Sequence, residues 1–119
     1  MIFTRKSEKE KSIFIEVFGD YPLIRVLDFF LTFREFDYSL TEVAENAGIA
    51  WSTLHQIFPK LIELGIVRLT RQVGRAKLYK LNEENPITKQ LIEVDNRLMK
   101  YFIEIDTREK VAIPIKVRH

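Results

Sequence analysis

Cysteine is missing altogether from the 119 residues, which removes disulfides, thiol sensing and zinc–thiolate sites together and fits a reducing cytoplasm. Histidine occurs twice, at His55 and His119, far apart and outside any ligand spacing, so no metal site is expected. Long apolar runs are lacking as well. The longest, residues 23–33, is interrupted by Arg25 and Asp28 and is too short to span a bilayer, so no membrane partner is expected. The opening string MIFTRKSEKEKSIF has scattered charges and no small-residue cleavage site, unlike a secretory signal. There is no Ser/His/Asp set, nucleophile elbow or phosphate-cradling glycine loop. The carboxylate pairs Glu8/Glu10 and Glu83-Glu84 lie at expected helix ends, where they complement the dipole. The expectation is a soluble, non-enzymatic cytoplasmic protein without a cofactor. Internal repeats and low-complexity segments are absent too, and 46% apolar residues suffice for one core, so residues 1–119 read as a single domain.

What is present is charge that is sorted rather than mixed. Residues 60–80 hold six cations (Lys60, Arg68, Arg71, Arg75, Lys77, Lys80) against one anion, Glu63, while the remainder carries 13 cations and 16 anions. A net charge of only +2 therefore conceals one strongly basic region, the signature of a surface that holds a polyanion.

Helix signals come in order along the chain. Ser7-x-x-Glu10 is a capping box ahead of Ile13, Phe14, Val17 and Phe18, which predicts a helix over 7–18 ended by Gly19. Asp20 and Pro22 open a second helix, apolar on nearly every side and hence central. Ser39-x-x-Glu42 is a second capping box, for a helix to Ala47. A further helix spans 51–64 with Gly65 after it. Residues 66–71 and 76–81 read as strands joined through Gln72-Val73-Gly74-Arg75, with imperfect alternation that implies a twist or bulge. Asn85-Pro86 caps a last helix, over 85–106, on which Ile87, Leu91, Val94, Leu98, Tyr101 and Ile105 form a heptad-like seam. Alternation at Val111, Ile113, Ile115 and Val117 signals a strand over 111–117, which Pro114 restricts to an edge.

The most specific pattern is Ala44, Gly48, Leu54 and Ile57, spaced A-x3-G-x5-L-x2-I. A small residue lets two short helices approach, a glycine turns the chain, and two aliphatics fix the second helix: a helix-turn-helix. A basic hairpin with five cations around a glycine tip follows directly. The expected fold is thus α+β, a winged helix-turn-helix over 20–81 (three-helix core plus β-hairpin wing) with additional N- and C-terminal helices. Residues 44–67 followed by Gly74-Arg75 resemble the winged helix-turn-helix regulators of MarR and ArsR type, especially small archaeal representatives. The resemblance implies a homodimeric transcriptional regulator of double-stranded DNA, with helix 51–64 in the major groove and the wing on the backbone or minor groove. It also implies a terminal helix that makes the dimer. Metal-sensing relatives use cysteines, which this chain lacks.

Because Leu54, Ile57, Phe58 and Leu61 claim the inward side of helix 51–64, its expected DNA-facing residues are Trp51, Ser52, Thr53, His55 and Gln56. Gln56 suits a bidentate contact to adenine, and Ser52 and Thr53 can bond bases or phosphates. Trp51 either stacks on a sugar or thymine methyl or anchors the turn; His55 either meets a base or is simply solvated. Lys60, Arg68, Arg71, Arg75 and Lys77 are the expected phosphate contacts, and Arg75 beside Gly74 suits a narrow minor groove. No arginine lies on the outward side of helix 51–64, which either leaves the binding only semi-specific or turns its sequence preference toward A·T-rich sites. The seam Ile87, Leu91, Val94, Leu98, Tyr101 and Ile105 is the expected dimer interface. Two other functions fit the same scaffold: a protein–protein interaction module, and an architectural or plasmid- or virus-type DNA binder of low sequence preference. The uncompensated wing cations favour DNA.

Overall fold

The structure is a computed structural model that describes residues 11–110. In chain order it contains α1 (Ile13–Phe18), α2 (Pro22–Thr32), β1 (Tyr38–Ser39), α3 (Leu40–Ala47), α4 (Trp51–Glu63), β2 (Val67–Val73), β3 (Ala76–Leu81) and α5 (Pro86–Lys110). The three strands form one antiparallel sheet in the order β1-β3-β2. Three helices, α2 to α4, with a hairpin behind the last and one strand between the first two, make a winged helix-turn-helix, as the motif spacing implied. The alternating stretch 111–117 lies outside the described residues.

Local chemistry accounts for most boundaries. Both halves of the second capping box form: Glu42 N–H donates to Ser39 Oγ (3.2 Å), and Ser39 N–H donates to Glu42 Oε1 (2.9 Å). Gly48 ends α3 with φ 72°, a left-handed conformation that glycine adopts without strain. Arg25 of α2 braces this turn from outside, its Nη1 donating to the Ala47 carbonyl at 3.1 Å. Asn85 caps α5 by accepting from Ile87 N–H (2.8 Å) and Thr88 N–H (3.2 Å), with Pro86 leading the helix. α4 continues unbroken through Pro59.

Several features differ from the sequence expectation, among them β2, which spans Val67–Val73 rather than 66–71. The first described helix begins at Ile13 behind Ser12, whose Oγ accepts from Ile15 N–H, and residues 11 and 12 are not helical; the Ser7-x-x-Glu10 capping box lies outside the described residues. The last helix runs on to Lys110, past the expected end at 106. Strand β1 has no sequence signal of its own, because two residues cannot display alternation. It exists through pairing, with Tyr38 opposite Tyr79 and Ser39 opposite Leu78.

The core lies between α2, α3, α4 and the base of the sheet, around Val26, Phe30, Val43, Leu54, Phe58, Leu61, Val67 and Leu81. α1 and α5 close the other side of α2, where Phe14, Leu91, Ile92 and Leu98 reach the same core. Polar groups are buried there as well. Ser12 Oγ donates to Asp28 Oδ1 (2.8 Å), Thr88 Oγ1 approaches the Ile66 carbonyl (3.4 Å), and Asp95 of α5 is buried near Asp28 and Arg34. Burial, and then the Asp28 charge, raise the Asp95 carboxyl above its ordinary 3.8, with Arg34 opposing. The folded state therefore holds the Asp95 proton to higher pH than the unfolded chain. Stability falls as pH rises through that window, and the deficit persists at neutral pH. Asp95→Asn should accordingly melt higher than wild type at pH 7, with the gain disappearing below pH 3.8, where the carboxyl is protonated in both states. Thermal melts across pH check this; an equal or lower melting point at pH 7 would contradict it.

Candidate nucleic-acid interface

α4 presents two sharply different sides. Leu54, Phe58 and Leu61 are buried, with Ile57 packed beside them, while Trp51, Ser52, His55, Gln56 and Lys60 are exposed and Thr53 is half-buried. The split follows from the 3.6-residue period. Of the residues expected from sequence to face outward near the start of α4, Trp51, Ser52, His55 and Gln56 are exposed, and Thr53 is only partly so. Trp51 and His55, one turn apart, stack with ring centroids 3.7 Å apart and planes tilted by 36°, and the indole is 53% exposed. With His55 it forms a broad aromatic step at the leading end of α4.

The wing is a two-residue hairpin. Val73 pairs with Ala76, leaving Gly74-Arg75 as the tip, and Gly74 has φ 63° with no heavy atom within 4 Å of where a Cβ would sit. The tip is open where a Gly74 side chain would project, and the neighbouring Arg75 is exposed. Arg68, Arg75 and Lys77 are exposed and have no ion-pair partner among the described residues. Lys80 is half-buried at the hairpin base.

Arg71 differs from its neighbours. Its Nε donates to Asp37 Oδ2 at 2.9 Å and its Nη2 to Asp37 Oδ1 at 3.2 Å, a bidentate fork. Asp37 also accepts from Thr70 Oγ1 at 2.6 Å. The register explains how these residues meet. Leu69 pairs with Tyr79 and Arg71 with Leu78, which are adjacent on β3, so Thr70 is the extra residue of a β-bulge. The bulge is the irregularity that the imperfect alternation implied. The Arg71 and Thr70 hydrogen bonds hold the Asp37 carboxyl down to about 2, against an ordinary 3.8, so it is ionised at any working pH. Sequence reasoning missed Asp37, which looks like one more charge in a short connecting loop; its partner lies 34 residues away and only the sheet brings them together.

The seam on α5 divides. Leu91 and Leu98 pack against the core of their own domain, whereas Ile87, Val94 and Tyr101 are exposed, at 44%, 39% and 51%. Ile105 is half-buried. The inward stripe is in fact Thr88, Leu91, Ile92, Asp95 and Leu98, which includes two buried polar residues. Apolar periodicity cannot register those two, so the seam expected as a dimer interface is split: Leu91 and Leu98 are taken up by their own core, and Ile87, Val94 and Tyr101 stay exposed. Met99, Phe102 and Ile103 add further exposed apolar surface toward the distal part of α5.

No family model matches the chain, nor does any curated protein sequence. Solved structures do resemble it. A ZitR mutant from Lactococcus lactis in apo form aligns with a TM-score of 0.59 at 18% identity, over 79% of this chain and 74% of that one. Sso10a-2, a DNA-binding protein from Sulfolobus solfataricus, aligns at 0.49 and 15% identity over 77% of this chain and 96% of its own. A possible transcriptional regulator from Methanosarcina mazei aligns at 0.48 and 17% identity over 77% of each. The first of these likenesses supports the fold. Among the described residues no helix is long and apolar enough to cross a membrane.

Proposed function

We propose that this protein is a homodimeric transcriptional regulator that binds double-stranded DNA through α4 and the wing. The observation that carries the reading is the pairing of two surfaces: an α4 face of Trp51, Ser52, His55, Gln56 and Lys60 with no acid among them, and a wing whose tip-proximal Arg75 and Lys77 and base-proximal Arg68 have no ion-pair partner among the described residues. An exposed helix of α4's width fits the major groove, and a projecting guanidinium beside a glycine fits a phosphate ridge or the minor groove. A protein–protein module would have no need of such uncompensated charge.

In this reading Ser52 and Gln56 read bases, Trp51 offers an apolar contact to a thymine methyl or sugar, and the wing and Lys60 supply phosphate contacts. Because α4 carries no outward arginine, the commonest guanine contact is missing, and the favoured sites are A·T-rich. The homodimer rests on the exposed stripe Ile87, Val94 and Tyr101, which, if left in water along a long helix, would invite aggregation. Two copies would place two α4 helices on successive half-sites.

Selection of bound fragments from random duplexes tests the reading. A recurrent A·T-rich motif should emerge, and Gln56→Ala and Ser52→Ala should relax it, each contact being worth about 1–3 kcal/mol while the salt dependence stays nearly unchanged. Trp51, the sole tryptophan, reports binding directly through its emission. If both variants keep the wild-type motif, α4 does not read the bases.

A further inference from the structure

The wing does not present all of its cations on equal terms. Arg68, Arg75 and Lys77 have no ionic partner among the described residues, but the Arg71 fork is filled by Asp37. Asp37 lies one step beyond the Tyr38–Tyr79 pair, on the side away from the hairpin tip, so the Arg71 side chain is drawn back along the wing. The Asp37 side chain is only 17% exposed, whereas Arg71 remains 62% exposed. One partner is therefore fixed in place and the other is accessible from solvent. A phosphodiester offers the guanidinium the same two-oxygen acceptor that the carboxylate does.

We propose that Asp37 holds Arg71 in reserve, its carboxylate occupying the guanidinium fork that a DNA phosphate would otherwise take. Arg71 then engages DNA only where a backbone phosphate approaches closely enough to displace Asp37. This rests on the DNA-binding reading of the wing and deepens it. Four wing cations attract any duplex, while the fifth exchanges one anionic partner for another and gains little on arbitrary sequence. The effect is to lower affinity for non-specific DNA, which competes in vast excess, and so to raise the ratio that matters for a regulator. An accessible pair of this kind is weak enough in water for a phosphate to replace it. Thr70 Oγ1, 2.6 Å from Asp37 Oδ2 and 3.1 Å from the Leu78 carbonyl, lies beside this pair, but both bonds of the Arg71 fork are made without it.

The experiment is a salt titration of binding to a random-sequence duplex by wild type, Asp37→Ala, Arg71→Ala, the double variant and Thr70→Val, with thermal melts to establish folding. Each added phosphate contact steepens the log–log salt slope by about 0.9, equivalent to about eightfold in affinity at 0.1 M salt. Asp37→Ala should show that gain, Arg71→Ala should bind much as wild type does, and the double variant should return to the Arg71→Ala level. Thr70→Val should leave the slope unchanged. An equal gain from Asp37→Ala in the Arg71→Ala background would mean that Asp37 merely repels DNA, and would overturn the proposal. So would a gain from Thr70→Val, which would trace the effect to wing distortion, or a wild-type slope in Asp37→Ala. Failure of every protein to bind duplex at 50 mM salt would instead overturn the DNA-binding reading itself, and this inference with it.

Discussion

Arg75→Ala combined with Lys77→Ala should weaken binding to any duplex by about 60-fold at 0.1 M salt and flatten the log–log salt slope by about 1.8, two phosphate contacts at about 0.9 each. These two positions are chosen because both are exposed beside an unobstructed tip and neither has an ionic partner among the described residues. Arg71, equally basic in sequence, is a poorer choice, because Asp37 already holds it. Neither substitution touches the core, so the melting temperature should stay near that of wild type. Fluorescence anisotropy with a labelled duplex over a range of salt measures both quantities. A double variant with the wild-type slope would show that the wing is not the phosphate-binding element.

Val94→Glu combined with Tyr101→Glu should give a folded monomer whose affinity for a two-half-site duplex falls by at least about 100-fold, the usual gain from joining two binding units. These residues lie seven apart on the exposed side of α5 and contribute nothing to the core of their own chain. Leu91→Glu or Leu98→Glu would mislead, since both side chains pack against that core and a carboxylate there would unfold the domain. Sedimentation velocity at tens of micromolar distinguishes the states. A wild-type monomer at that concentration would refute the dimer, and so would a double variant that remains dimeric.

The fold was legible in sequence because its signals are local. Ser39 and Glu42 stand three apart and close a capping box; Asn85-Pro86 opens α5; Gly48 and Gly74 sit where the backbone must turn left-handed. The outward face of α4 was equally legible, since Leu54, Phe58 and Leu61 fix its rotation and leave Trp51, Ser52, His55 and Gln56 outside. Less legible were features made by pairing. Strand β1 is two residues long and exists only opposite β3, and Ser12 caps α1 with a hydroxyl that also reaches Asp28 of α2, a contact no local spacing announces.

The helix-turn-helix, the hairpin and its cationic character can all be read along the chain, because each follows from residue spacing within one element or from its immediate neighbours. Which of the wing's cations is engaged by a carboxylate, and which side of α5 remains exposed, emerges only once the elements pack together. Arg71 is engaged by a carboxylate 34 residues distant, across a sheet whose bulge sets its reach. α5 turns Leu91 and Leu98 inward with Thr88 and Asp95, because the available polar partners and the shape of the core fix a helix's rotation, and an apolar count along the chain sees neither.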